Sequence, residues 1–442
     1  MGRFTAAGLC RNLTGFPDSP QARHLTLAAT IACGPVTEPT STGVSPIVTV
    51  VGIGADGWAG LSAAHQELVL SAPVVIGGRR HLAYVPPVEG QRREAWPSPL
   101  RQRLPGFLVG LGVSEVVVLA SGDPLVSGIG TTLIEVLGRN GVRILPAVSS
   151  VALARAELGW SAESCAVVSV VGRSAALVLR ELAPGRQVLV LSSDETTPGV
   201  VAELLTAVGY GASRMHVLGD LGSAEFTRIE GEAHTWSEVA PRLNVIGLEL
   251  IGPPCGAWVA GLPDEAYEHD GQLTKRDLRT SALARLAPQP GEHLWDVGAG
   301  AGSIGIEWMR AHPTCAATAI EANPERAARI GRNAHLLGVP GLDVVVGRAP
   351  DALAGLPEPH AVFVGGGATE PGALDRCLEA LSPGGRLVVH GVTLETERLL
   401  GEWHAKHGGE LTRIAVETAA PIGSFTGWTP ARTVTQWAFT RV

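Results

Sequence analysis

A chain of 442 residues is too long for one ordinary hydrophobic core, so two or three domains are expected. Its hydrophobic fraction of 45% can fill such cores, and no apolar run reaches the ~18 residues needed to cross a bilayer, which argues against a membrane protein. The net charge of −8 argues against a surface that coats nucleic acid, and Lys275 and Lys406 are the only lysines among many arginines.

In chain order, residues 1–45 are rich in Thr, Pro, Ser and Gly and read as a disordered extension. The apolar stretch Leu25–Cys33 is short and poorly flanked by basic residues, so a signal sequence is the weaker reading. The first strand is predicted at Ile47–Gly54, a β-branched apolar run suited to burial on both faces. Leu61–Leu70 has helical periodicity. Further strands are predicted at 73–77, 115–120, 142–146, 165–171 and 187–192, with helices at 130–137, 150–158 and 199–208 between them. This β/α alternation implies a mainly parallel sheet. Tighter spacing at 214–218, 227–231 and 244–251 predicts hairpins and a mixed sheet. Residues 252–270, with three prolines and four acidic residues, read as a linker.

A second series then begins. A helix is predicted at 275–286, and strands at 293–297, 316–321, 342–347, 361–365 and 386–390. Helices start at Pro324, Pro371 and Leu394. Two late strands, Leu411–Thr418 and Thr433–Val442, are predicted with a Gly/Pro loop between them. A parallel sheet closed by a late antiparallel pair fits a class I methyltransferase better than a dehydrogenase. The six cysteines (Cys10, Cys33, Cys165, Cys255, Cys315, Cys377) form no CxxC pair and no metal-ligand spacing, so no metal and a reducing, cytoplasmic setting are expected.

The segment Leu294-Trp295-Asp296-Val297-Gly298-Ala299-Gly300-Ala301-Gly302-Ser303 reads as strand, glycine turn and helix start. Glycines let the backbone turn sharply and approach a ligand. Glu321, at the end of the next predicted strand, stands roughly 20 residues on, where a carboxylate can accept hydrogen bonds from ribose hydroxyls of an adenosine ligand. In Gly347-Arg348-Ala349-Pro350, the small Ala349 leaves room for an adenine ring. Val362–Gly367 lacks the polar Asn-Pro-Pro-Tyr-like element of amine methyltransferases, which disfavours base or amine methylation. In the first half, Val51–Gly57, Ala120–Gly128 and Pro146–Ser150 all follow predicted strands and should meet at one sheet edge. The plain alternative for each is a structural turn.

The order of those three segments resembles the tetrapyrrole methylase family over about residues 46–250. The second half resembles the partner methyltransferase of the corrinoid pathway, in Gly271–Arg279, the glycine turn, Val364-Gly365-Gly366, Leu387-Val388-Val389 and Leu394-Glu395-Thr396. The resemblance implies an α/β chain: a tetrapyrrole methylase domain at 46–252 made of two α/β subdomains, a linker at 253–270, and a Rossmann-like class I domain at 271–442. It implies S-adenosylmethionine as cofactor, one per domain. The first domain would methylate C5 of the ring; the second would methylate C15 and release the carboxyl of the C12 acetate. Cofactor residues implied are Thr274, Gly298, Gly300, Gly302, Glu321 and Ala349 in the second domain, and Gly122, Asp123, Ser149 and Ser150 in the first. Ala301 departs from a threonine common in the family turn, and Arg432-Thr433-Val434 replaces an Asn-Pro-Val element.

A tetrapyrrole substrate bears many carboxylates, which arginine forks bind bidentately. Arg79, Arg80, Lys275, Arg276 and Arg279 are the candidates, with solvated surface charge as the plain alternative. His390 and Glu395 are candidates for proton transfer, against a packed histidine and a helix N-terminal acid. Relatives of the second domain imply a homo-oligomer, with a tetramer among the options. An S-adenosylmethionine-dependent methyltransferase of another small molecule, a nicotinamide-dependent oxidoreductase, a non-catalytic ring carrier and an RNA methyltransferase are the competing readings.

Overall fold

The computed structural model describes residues 47–254 and 258–442. The expected extension at 1–45 and Cys10, Cys33 and Cys255 lie outside the described residues.

Strands β1 (Ile47–Ile53), β2 (Val74–Gly77), β3 (Arg92–Ala95), β4 (Glu115–Ser121) and β5 (Val142–Leu145) form a parallel sheet in the order β3-β2-β4-β1-β5. The central strands are apolar along most of their length because helices cover both faces: Val48, Val50 and Val118 pack to one side, Val51, Ile53 and Leu119 to the other. β3 and the helix Leu100–Gly110 were not predicted. The strand is an arginine-bearing edge, and the helix carries Pro105, which reads as a breaker.

A second sheet holds β6 (Cys165–Ser169), β7 (Gln187–Leu191), β8 (Arg214–Gly219), β9 (Thr227–Glu232) and β10 (Asn244–Glu249), ordered β6-β7-β10-β8-β9. Only β6 and β7 pair in parallel, so this sheet is mixed, as the tight spacing predicts.

The third sheet contains β11 (His293–Val297), β12 (Ala316–Glu321), β13 (Asp343–Val346), β14 (Ala361–Val364), β15 (Arg386–Gly391), β16 (Glu410–Ile414) and, after an inserted hairpin, the last strand. That hairpin is β17 (Glu417–Ile422) and β18 (Phe425–Pro430), and the last strand is β19 (Val434–Thr440). The order is β13-β12-β11-β14-β15-β19-β16, with β19 antiparallel to both neighbours. Alternate residues supply two cores: Leu294, Phe363 and Trp308 on one face, Trp295, Val362 and Trp437 on the other.

The predicted Gly/Pro loop between the last two strands is wrong. Residues 417–430 form the β17–β18 hairpin, turning at Gly423. Both its faces are largely exposed, so it lacks the buried/exposed alternation that reveals a strand, and Pro421, Gly423 and Gly427 read as turn residues. The last strand begins at Val434 despite Arg432-Thr433 in place of the family's Asn-Pro.

Candidate active sites

The third sheet reverses its winding between β11 and β14, and ligands of open α/β sheets bind beyond the strand ends at such a point. A cleft of about 540 Å³ lies there. Gly298 and Gly300 line it with φ +67° and +59°, a region that side chains avoid. A Cβ on Gly298 would stand 2.7 Å from the backbone of Gly366, and one on Gly300 would stand 2.7 Å from the Gln272 carbonyl. Glycine is therefore required where two loops press on the turn. Glu321 ends β12 in the cleft wall. Its Oε2 accepts from the Gly300 N–H and its Oε1 from the Asn323 N–H, both at 2.9 Å, so the carboxylate is held at a fixed angle. Ala349 also lines the cleft.

Gly302 and Thr274 do not line this cleft. Gly302 caps the helix Ser303–Ala311 at φ +77°, and a Cβ there would strike Ile330. Thr274 gives its carbonyl to Arg279 at 2.5 Å. Beneath the turn, Asp296 is wholly buried and accepts from the Gly305 N–H at 2.9 Å; burial pushes its carboxyl up to about 7. Gln272, Arg326 and Arg348 line the cleft without having been predicted. Arg348 and Gln272 lie inside segments the sequence flags, Gly347–Pro350 and Gly271–Arg279, whereas Arg326 arrives from the helix after β12. Arg326 is tied to Asp270 at 2.9 Å.

A second cleft, about 290 Å³, opens between the first and second sheets. Gly122, Asp123, Ser149 and Ser150 all line it. Gly52 is what lets the three loops meet: a Cβ on it would lie 2.1 Å from the Gly122 carbonyl and 2.4 Å from the Ala147 nitrogen. Asp123 accepts from the Leu125 N–H at 2.9 Å, and Ser149 caps the helix Ser150–Leu158 through Ala152 N–H at 3.1 Å. The opposite wall comes from the second sheet and includes Leu191, Ser192, Ser193 and Asn244. Ser192 donates to Asn244 Oδ1 at 2.5 Å. No local motif marks these wall residues, because they come from strands far along the chain.

Of the predicted carboxylate binders, Arg80 lines the cleft between the sheets. Arg79 is exposed at the start of the helix Arg79–Tyr84 but does not line it. Lys275 pairs with Asp264 at 3.4 Å, and Arg276 is exposed; neither lines the glycine-turn cleft. The reading of Arg279 as a substrate binder is corrected. It is fully buried, donates to Glu307 at 2.6 Å and Asp264 at 3.3 Å, and also reaches the carbonyls of Thr274 and Leu262. Glu307 accepts in addition from the N–H groups of Gly261 (2.6 Å) and Leu262 (3.0 Å) and from the Tyr267 hydroxyl (2.8 Å). This buried network anchors the segment 261–267 to the sheet's helices.

His390 is buried against Phe363 and bonded to the Gln436 side chain at 2.9 Å, and burial pulls its imidazole down to about 4. It is packed in the sheet and away from the cleft lining, which is the plain alternative for it. Glu395 is exposed in the first turn of the helix Leu394–His407; its own backbone N–H and Thr393 hold its carboxyl below the usual range. Among the described residues, no group of three or more His, Cys, Asp or Glu is placed to hold a metal ion, and no helix is long and apolar enough to cross a membrane.

Two family models match the chain. One, described as Tetrapyrrole (Corrin/Porphyrin) Methylases, covers residues 48–235; the other, described as Precorrin methyltransferase domain, covers residues 265–441. A precorrin-6Y C(5,15)-methyltransferase (decarboxylating) from Sinorhizobium sp is 48% identical over 403 residues, 90% of this chain and 97% of that one. Two Salmonella typhimurium proteins match shorter stretches. A cobalt-precorrin-7 C(5)-methyltransferase is 33% identical over 41% of this chain and 89% of its own length. A cobalt-precorrin-6B C(15)-methyltransferase (decarboxylating) is 38% identical over 26% of this chain and 60% of its own.

Proposed function

From the chain's membership in the precorrin-6Y C(5,15)-methyltransferase (decarboxylating) family, shown by a 48% identical relative spanning 90% of its length, we propose that its two clefts divide two methylations of one tetrapyrrole. The enzyme methylates C5 and C15 of the reduced form of precorrin-6Y, precorrin-6B, and removes the carboxyl of the C12 acetate to give precorrin-8, a reaction pair of cobalamin biosynthesis. The cleft between the first two sheets serves C5. The glycine-turn cleft serves C15 and the decarboxylation. The observation that carries this is the presence of two separate clefts, one at the strand ends of the third sheet and one between the first two sheets. Separate proteins named for the C(5) and C(15) reactions each match less than half of the chain, which supports the division.

S-adenosylmethionine, one molecule per cleft, supplies a methyl already activated by its sulfonium. The glycine-turn cleft suits it. The Glu321 carboxylate is locked by two N–H groups and lines the same cleft as Gly298 and Gly300. Glu321 would hold the ribose, Ala349 would border the adenine, and the turn would carry the rest. Gly122, Asp123, Ser149 and Ser150 would form the first cofactor site. With an activated donor, the chain's work is mainly alignment of the ring carbon with the methyl group. Arg80 in the first cleft, and Arg326 and Arg348 in the second, would receive ring carboxylates. Ile422, Phe425 and Trp428 of the terminal hairpin are 61%, 80% and 69% exposed, which favours a homo-oligomer that covers them.

The test is the product mass after incubating the protein with reduced precorrin-6Y and S-adenosylmethionine. Two methyl groups gained and one CO2 lost are expected. Cofactor bound without any change of mass would overturn the assignment.

A further inference from the structure

The strand ends that build the first cleft also bring together three side chains outside the proposed cofactor set, Ser121, His81 and Arg80. β2 pairs with both β3 and β4, so the helix Arg79–Tyr84, which follows β2, starts beside Ser121 at the end of β4. Ser121 and Arg80 line the cleft. The Ser121 hydroxyl stands 3.0 Å from His81 Nε2. One guanidinium nitrogen of Arg80 lies 3.3 Å from Ser121 Oγ and 3.3 Å from the same Nε2. A guanidinium has only donors, so Nε2 must be an acceptor and the ring proton sits on Nδ1. The serine hydroxyl then points its proton at Nε2 and keeps a lone pair for the cleft. Burial and the neighbouring Arg80 hold the imidazole down at about 4, so it is neutral at neutral pH.

We propose that Ser121 takes the proton released when the ring carbon in the first cleft is methylated, and that His81 acts through it as a positioning and relay residue. This rests on the assignment of C5 methylation to that cleft. A meso carbon bears one hydrogen. Its π electrons form the new C–CH3 bond, while sulfur keeps the pair of the broken S–CH3 bond, and the ring is left cationic. Breaking the C–H bond returns its electron pair to the π system. The proton goes to Ser121 Oγ as the serine's own proton goes to His81 Nε2, and the imidazolium later releases it to water. A cationic conjugated ring is a strong carbon acid, so a weak base is sufficient. Arg80 holds the serine oxygen in place and disfavours premature protonation of the imidazole.

The test uses the full chain. Ser121→Ala and His81→Gln, the latter keeping an acceptor near the Nε2 position without basicity, are compared with Ser121→Thr, which restores the hydroxyl. Product mass is followed in time together with CO2 release, and calorimetry counts cofactor equivalents. A base in the transition state contributes about 100-fold or more. The expected result is a loss of that size in kcat for the C5 methyl in the first two variants, with KM within about threefold of the wild type. Ser121→Thr recovers most of the rate. CO2 release and cofactor binding at both clefts stay unchanged in all three, which shows that the variants are folded. Nitrogen-15 NMR of the wild type places the His81 ring proton on Nδ1, and the Nε2 signal moves in Ser121→Ala. The inference is overturned if His81→Gln keeps wild-type kcat, if the two variants raise only KM (a carboxylate-binding role), or if Nε2 carries the proton. A wild-type chain that adds no C5 methyl would overturn the functional assignment itself, and the relay with it.

Discussion

The two clefts are built from different materials. The glycine-turn cleft lies on one sheet: its turn, its carboxylate and the small Ala349 come from the ends of adjacent strands, and Glu321 is locked by the turn's own Gly300 N–H. The first cleft is a seam between two sheets, with glycine-rich loops on one wall and the ends of β7, β8 and β10 on the other. A site on one sheet is rigid and specified locally. A site on a seam depends on how two sheets pack, although the cluster of Ser121, His81 and Arg80 on its wall is gathered within the first sheet, by the pairing of β2 with β4.

The sharpest way to break this comparison is to fill one cleft at a time. Gly298→Ala places a Cβ 2.7 Å from Gly366 on a left-handed backbone. We expect cofactor stoichiometry to fall from two to one, and CO2 release to fall by at least about 1,000-fold. Gly52→Ala, which drives a Cβ to 2.1 Å from the Gly122 carbonyl, should do the reverse and spare CO2 release. Calorimetry and product mass read both.

Next in size is Arg279→Met. It leaves Glu307 buried without its charge partner, which costs about 3–5 kcal/mol. Thermal unfolding should show the loss, while substrate KM in the remaining folded protein should not move; a KM effect alone would restore the carboxylate-binding role. A smaller effect comes from Asp296. Its carboxyl ordinarily ionises at 3.8 but does so at about 7 in the folded protein. Between those values the folded chain holds the extra proton, so stability is full below about pH 4 and falls as the pH rises through 7, by up to about 4 kcal/mol. Denaturant titrations of Asp296→Asn should lose that slope. The smallest effect is that of Glu321→Gln, which keeps the shape and removes the charge. Affinity for the cofactor should weaken by about tenfold in the glycine-turn cleft and stay unchanged at the seam.

Much of this was legible in the sequence. Strands buried on both faces announce themselves as apolar runs, which is why β1, β4, β11 and β14 were predicted within a residue or so. The hairpin at 417–430 was missed because neither face is buried. Arg279 was misread because its partner Glu307 lies 28 residues on, in a helix that only packing brings to it. For His390 the sequence left a proton carrier open beside a packed histidine; β15 lies between β14 and β19, and the ring is enclosed there by Phe363 and Gln436.

By itself the sequence determined what is local: the apolar periods that make the strands, the glycines that only a left-handed turn requires, and the spacing from the turn to Glu321. Covalent neighbours impose those constraints whatever the rest of the chain does. The tertiary structure alone decided which charges face a cleft and which are buried in pairs, which strands wall the seam, and that His81 meets Ser121 across 40 residues of chain. Those outcomes depend on the side-by-side order of strands, and that order is set by how whole faces bury against one another.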